Sequence, residues 1–284
     1  MACAPLPSGA HPESAFSPRT GGPAGGFTLL ELLVVISVIG VLAALVLPAG
    51  VAAKGFTYRT LCASQLRQNG MGFHRYLDDH NQTLPYAIER APGLEISWDD
   101  QLHEYLGGAD LSSGQMAADH IPAELGTPML TCPEDPADGA YAGRATRTYA
   151  MVGDRAVAGD RGVGIAMNHY DWLRPEQIRA DGSDVPAPMR TFLLTEHARG
   201  ARPADAGVTP NVQGGTDHAM ISGPGAQAAD EGGDDIPSLH GSATERVANF
   251  LYVDGAVKLE PIFGTLGSGT AETPGGAWTR DPND

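Results

Sequence analysis

Gly26-Phe27-Thr28-Leu29-Leu30-Glu31-Leu32-Leu33-Val34-Val35-Ile36 opens an apolar run that continues to Pro48. From Phe27 to Leu47 there are 21 residues, and Glu31 is the only charged one. At about 1.5 Å of rise per residue, a helix of that length spans the hydrocarbon core of a bilayer. A secretory signal peptide has a shorter apolar region, basic residues just before it and a small-residue exit. Here a Gly/Pro-rich stretch comes first, with Arg19 its only Arg or Lys. Ala43-Ala44 and Ala49 leave a small-residue cut as the alternative.

Glu31 is the anomaly in this run. On insertion scales a carboxylate at the centre of a bilayer helix costs roughly 2.5–3.5 kcal/mol. A plain anchor has no use for it. A cut between Gly26 and Phe27 would place a new α-amino group four residues from Glu31. That amine, in the same chain or a neighbour, would replace two lone charges by one compensated pair in low dielectric.

Pro48 removes one helix hydrogen bond, so a kink or a helix end is expected there. A helical pattern resumes beyond it. Leu61, Leu66, Met71, Phe73, Tyr76 and Leu77 suggest an apolar stripe, with Arg59, Arg67, Gln68 and Arg75 on the wetter side. Gly70 and Gly72 suggest a bend or a close contact. Asp78-Asp79-His80-Asn81 and Leu84-Pro85 stop the pattern. One helix from about Thr28 to about Leu77, ~75 Å long at 50 residues, is therefore expected.

The remainder reads as short elements between turn formers. A short amphipathic helix is expected over 98–106, and strands over 129–132, 146–152, 190–196 and 247–253. Asp254-Gly255 is a hairpin signal, with its partner strand over 256–262. Residues 201–237 and 264–284 are rich in turn formers and read as a long loop and a loose tail. The expected fold class is α+β. A long N-terminal helix, membrane-spanning in its first half, packs on a small antiparallel β-sheet domain with long loops. The expected divisions are a leader over 1–26, the helix over 27–80 with its transmembrane part at 27–47, a globular domain over 81–263 and the tail over 264–284.

Charge narrows the partners. The formal net charge is −16. Only Arg19 and Lys54 among basic residues, and Glu13 and Glu31 among acidic ones, precede Phe56. The excess thus sits after the apolar run, with 16 Arg/Lys against 32 Asp/Glu. Such a surface repels phosphate backbones, so no nucleic-acid partner is expected. Of three cysteines, Cys62 and Cys132 remain after the proposed cut, either as a disulfide or as two buried thiols.

Gly26, the aromatic Phe27 and Glu31 at the fifth mature position resemble the cleavage and methylation motif of type IV prepilins and type II secretion pseudopilins. Pro48, at mature position 22, fits the same pattern. The resemblance implies a prepilin peptidase that cuts after Gly26 and methylates Phe27. It also implies other pilin or pseudopilin subunits and inner-membrane assembly machinery as partners. The implied location is a single pass in a bacterial inner membrane, with the globular domain in the periplasm or in an extracellular filament. A tethered binding module is the alternative function.

Further phrases extend the resemblance: Cys62-Ala63-Ser64-Gln65-Leu66-Arg67-Gln68, Trp98, Leu130-Thr131-Cys132-Pro133 and Thr148-Tyr149-Ala150-Met151. They are similar to prepilin-like proteins of planctomycetes and verrucomicrobia that carry a C-terminal His…Asp-Gly signature. His240, Asp254 and Gly255 stand at that signature. The family spacing is nine residues, but here thirteen separate His240 from Asp254, and Ala256 follows Asp254-Gly255 where histidine is usual.

Catalysis is not expected. No G-x-S-x-G motif accompanies His240 and Asp254, and no oxyanion loop can be named. His74 and His80 lie six apart, on different helix faces, and make a poor metal pair. No cofactor is expected, although Asp230-Glu231-Gly232-Gly233-Asp234-Asp235 has the oxygen donors that Ca²⁺ takes. That run lacks EF-hand spacing, and a solvated acidic loop is the other reading.

Overall fold

The computed structural model describes residues 26–91, 93–135, 140–152, 168–170, 187–197, 211–215, 219–221, 240, 246–270 and 275–278. The chain divides into two compact units, Met1–Gly50 and Val51–Asp284. Helix α1, Leu29–Asp79, runs through the division. It includes Pro48, so the helix does not end there.

In the first unit, Leu29–Leu47 is long and apolar enough to cross a membrane. Its large side chains are exposed, from Leu29 to Leu47. An apolar surface this continuous, with no protein covering it, is what a lipid-facing segment requires.

In the second unit, the buried face of α1 is Cys62, Leu66, Asn69, Phe73, Tyr76 and Leu77. Steps of three and four residues keep these on one stripe. The stripe is rotated from the expected one, since Leu61 and Met71 are largely exposed. The polar residue Asn69 had masked it. Its side-chain Nδ2 donates to Met129 O at 3.0 Å, which gives that group a partner in the core. Gly70 and Gly72 mark close approaches. A Cβ on Gly70 would lie 3.0 Å from Leu251 Cδ1, and one on Gly72 would lie 2.6 Å from Leu106 Cδ2.

The principal sheet has five strands. They are β5 (Tyr149–Val152), β7 (Phe192–Glu196), β8 (Met220–Ile221), β9 (Val247–Tyr252) and β10 (Val257–Pro261). Their order is β10-β9-β7-β5-β8, antiparallel except for the β5–β8 edge. A smaller sheet joins β1 (Ile88–Ala91) to β2 (Leu94–Ser97), antiparallel, and to β6 (Asn168–Tyr170), parallel. A two-stranded ribbon pairs β3 (Ala140–Tyr141) with β4 (Arg144–Ala145). The architecture is α+β.

Alternation splits the core into two layers. Tyr149, Met151, Leu194 and Leu251 pack with the α1 stripe. Ala150, Val152, Phe192, Phe250 and Tyr252 face the other way. A register shift between Phe192 and Leu194 lets neighbouring Leu193 join the α1 side.

That second face corrects the loose tail. A sheet face carrying Phe192 and Phe250 must be covered, and Trp278 covers it. Trp278 is fully buried, edge-on to both rings, and its Nε1 donates to Thr265 Oγ1 at 2.8 Å. The expected long loop over 201–237 is likewise structured in part. Asn211 and Gln213 are buried, and β8 adds an edge to the sheet.

Two local expectations also change. Residues 128–130 form a 3-10 turn rather than a strand, because Pro128 sits at its first turn and Thr127 caps it. The 98–106 helix is divided into α2 (Trp98–Leu102) and a 3-10 turn at Glu104–Leu106, which Gly107 closes at φ 78°.

Cys62 and Cys132 are joined by a disulfide, with Cα atoms 5.2 Å apart. It ties α1 to the segment before β5 across 70 residues. Constraining a loop of that size in the unfolded chain stabilises by about 4 kcal/mol on the chain-entropy account.

Candidate functional site

The N-terminal site is built from helix chemistry. Thr28 precedes the first residue of α1 and acts as its cap. Thr28 N–H donates to Glu31 Oε2 at 2.9 Å, and Thr28 Oγ1–H donates to the same oxygen at 2.8 Å. Glu31 N–H donates back to Thr28 Oγ1 at 3.2 Å. This is a capping box, legible as Thr-x-x-Glu but passed over in the sequence because Glu31 was read as a charge in lipid. Gly26, Phe27, Thr28 and Glu31 are all exposed, as a processing site needs.

The C-terminal motif residues are not brought together. His240 forms a bridge with Val247, where β9 begins. Asp254 lies in the turn past the other end of β9, whose six strand residues span ~20 Å. A base–orienter pair is thereby ruled out. Asp254 is a turn residue, its Oδ1 accepting from Ala256 N–H at 3.0 Å. Gly255 takes φ 86°, and its N–H donates to Tyr252 O. His74 and His80 have separate roles as well. His74 borders Gly255, whereas His80 stacks on Tyr76 at 3.8 Å. The acidic run 230–235 lies outside the described residues.

His240 instead enters a buried cluster that sequence reasoning missed. Its Nδ1 is 2.6 Å from Glu134 Oε2 and its Nε2 is 2.9 Å from Glu196 Oε1. Burial lowers its basicity, but the two carboxylates outweigh that and hold it above the usual histidine value. Glu196 Oε2 accepts from Asn249 N–H and its Oε1 from Asn249 Nδ2. Cys132 Sγ lies 3.7 Å from His240 Nε2. The available signal was a glutamate closing β7 after the apolar Phe192-Leu193-Leu194, and another following Cys132-Pro133.

A second buried cluster was also missed. The Arg147 guanidinium pairs with Asp99 Oδ1, and both side chains are fully buried. Ser97 Oγ–H also donates to Asp99 Oδ1, Gly214 N–H to its Oδ2 and Arg147 Nη2 to Gly215 O. Asp100 Oδ2 accepts from Ser97 N–H at 2.8 Å. Burial first, then the charge of Asp99, pushes the Asp100 carboxyl up to about 8. Burial thus favours the protonated form of Asp100 beside the Arg147–Asp99 pair.

A pH dependence follows. Unfolded, Asp100 titrates near 3.8; folded, near 8. Between these values the folded chain keeps a proton that the unfolded chain releases, so stability falls as pH rises through the window and levels above it. Asp100→Asn should flatten this decline. Denaturation midpoints measured from pH 4 to pH 8 check it; an unchanged slope in the variant refutes it.

The capped apolar helix and the exposed residues before it have the features of a prepilin-type N-terminus. Comparison with family models supports this class. Residues 23–47 match the model described as "Prokaryotic N-terminal methylation motif". The motif marks a chain processed by a prepilin peptidase, and points to a structural subunit rather than an enzyme. Neither curated proteins nor solved structures gave a match.

Proposed function

We propose that the processed chain is a subunit of a pilus-like filament, either a type II secretion-like pseudopilus or a type IV pilus-like fibre. The carrying observation is Glu31, a carboxylate at the fifth mature position and the only charged residue of the 19-residue span Leu29–Leu47. Peptidase cleavage after Gly26 and methylation of Phe27 prepare the chain. Single-pass insertion in a bacterial inner membrane then leaves the Val51–Asp284 unit in the periplasm or on an extracellular fibre. The apolar helix provides the surface on which neighbouring subunits and the assembly machinery pack. The Asp254-Gly255 hairpin and His240 support reading the C-terminal region as a divergent member of the His…Asp-Gly group.

The test is mass spectrometry of the chain recovered from sheared or detergent-extracted filaments. The expected N-terminus is methylated Phe27, present in the filament fraction. An intact leader, a cut near Ala49, or processed chain found only as membrane monomer overturns the proposal.

A further inference from the structure

Four potential ligand side chains meet at the disulfide. Cys62 comes from α1, Cys132 from the segment before β5, Glu196 from the end of β7 and His240 from the bridge that opens β9. Their ligand atoms all lie within 4.8 Å of one another, and all four residues are buried. A tetrahedral zinc site with Zn–S near 2.3 Å and Zn–N and Zn–O near 2.0 Å spaces its ligand atoms by about 3.3–3.8 Å. The set is therefore within small side-chain movements of such a site.

The surroundings match as well. A metal-bound imidazole usually donates its remote N–H to a carboxylate, which fixes the tautomer. Glu134 holds Nδ1 of His240, so Nε2 points toward Glu196 and Cys132. Asn249 holds the Glu196 carboxylate through two donated hydrogen bonds. Cys132 N–H donates to Thr148 Oγ1, whose hydroxyl donates to Asp135. A cleft of about 300 Å³ reaches Cys132, lined also by Gln65, Thr131 and Asp135.

We propose that Cys62, Cys132, Glu196 and His240 form a tetrahedral Zn²⁺ site when the two cysteines are reduced. The site alternates with the disulfide. A dithiol supplies two electrons to the S–S bond and becomes a disulfide itself. The two sulfurs become thiolates on Zn²⁺, and the protons of the dithiol, with the Nε2 proton of His240, pass to solvent. Either link joins α1 to the sheet, and the metal also ties in β7 and the start of β9. This goes beyond the filament reading and does not rest on it.

The test uses the full chain in detergent micelles, titrated with Co²⁺ and then Zn²⁺, before and after reduction by a trialkylphosphine. The reduced chain should bind one Co²⁺ with intense tetrahedral d–d bands and a thiolate charge-transfer band, and Zn²⁺ should displace it. The oxidised chain should show neither band. Zinc should raise the melting temperature of the reduced chain alone. His240→Gln, which keeps both sulfurs, should abolish the tetrahedral spectrum. Glu134→Gln, outside the ligand set, should weaken binding by about 10–100-fold. Equal binding by oxidised and reduced chains, or an octahedral spectrum after reduction, would overturn the proposal. So would wild-type affinity in a folded His240→Gln chain.

Discussion

Glu31→Val is expected to leave the chain inserted in the membrane and to remove it from filaments altogether. Insertion should not suffer, because losing a carboxylate from the span removes a cost of roughly 2.5–3.5 kcal/mol. The variant does lose the capping box, which stabilises the helix start by about 1 kcal/mol. Two accounts of Glu31 thus compete, a cap within the chain and a charge between subunits. Glu31→Gln separates them. Glutamine can still accept from Thr28, but it cannot compensate a neighbour's α-amino group. If the charge is what registers subunits, Gln should fail in filaments as completely as Val. Both chains should still appear in the membrane fraction by immunoblot. Assembly of Glu31→Gln at the wild-type level would show capping to be the sole role, and assembly of Glu31→Val would show that Glu31 does not register subunits.

The helix and the last hairpin were legible because each rests on local physics. An apolar run, a stop at Asp78-Asp79 and an Asp-Gly turn need no tertiary context. The structure has α1 at Leu29–Asp79 and the hairpin at β9–β10, close to the expected bounds. What was not legible depends on partners distant in sequence. Asn69 looked like a surface residue until Met129 O accepted from its Nδ2. Trp278 looked like part of a loose tail until Phe192 and Phe250 gave it a face to cover. Glu134, Glu196 and His240 are separated by dozens of residues, so no spacing rule joins them. The exposed processing end was read from one contiguous motif, which is why it was the firmer half of the site.

Arg147→Met is expected to be the most damaging single change in the Val51–Asp284 unit. Arg147 joins three segments. Its guanidinium meets Asp99 in α2, its Nη2 donates to Gly215 O and its backbone N–H donates to Asn211 O. It also lies over the Trp98 ring, 5.8 Å from the centroid. Methionine fills much of the same volume but strands the Asp99 carboxylate in the core, beside Asp100. Breaking a buried pair by removing one partner costs about 3–5 kcal/mol, more than most core truncations. Removing both charges is a different matter, since an apolar replacement of similar volume avoids the desolvation penalty. Arg147→Met/Asp99→Leu should therefore recover a large part of the loss. Denaturant midpoints followed by tryptophan fluorescence provide the measurement, with Trp98 reporting from beside the pair. A single variant within about 1 kcal/mol of wild type would mean that the pair is solvated after all. A double variant no better than the single would mean that the hydrogen bonds to Gly214 and Gly215, rather than charge compensation, hold these three segments together.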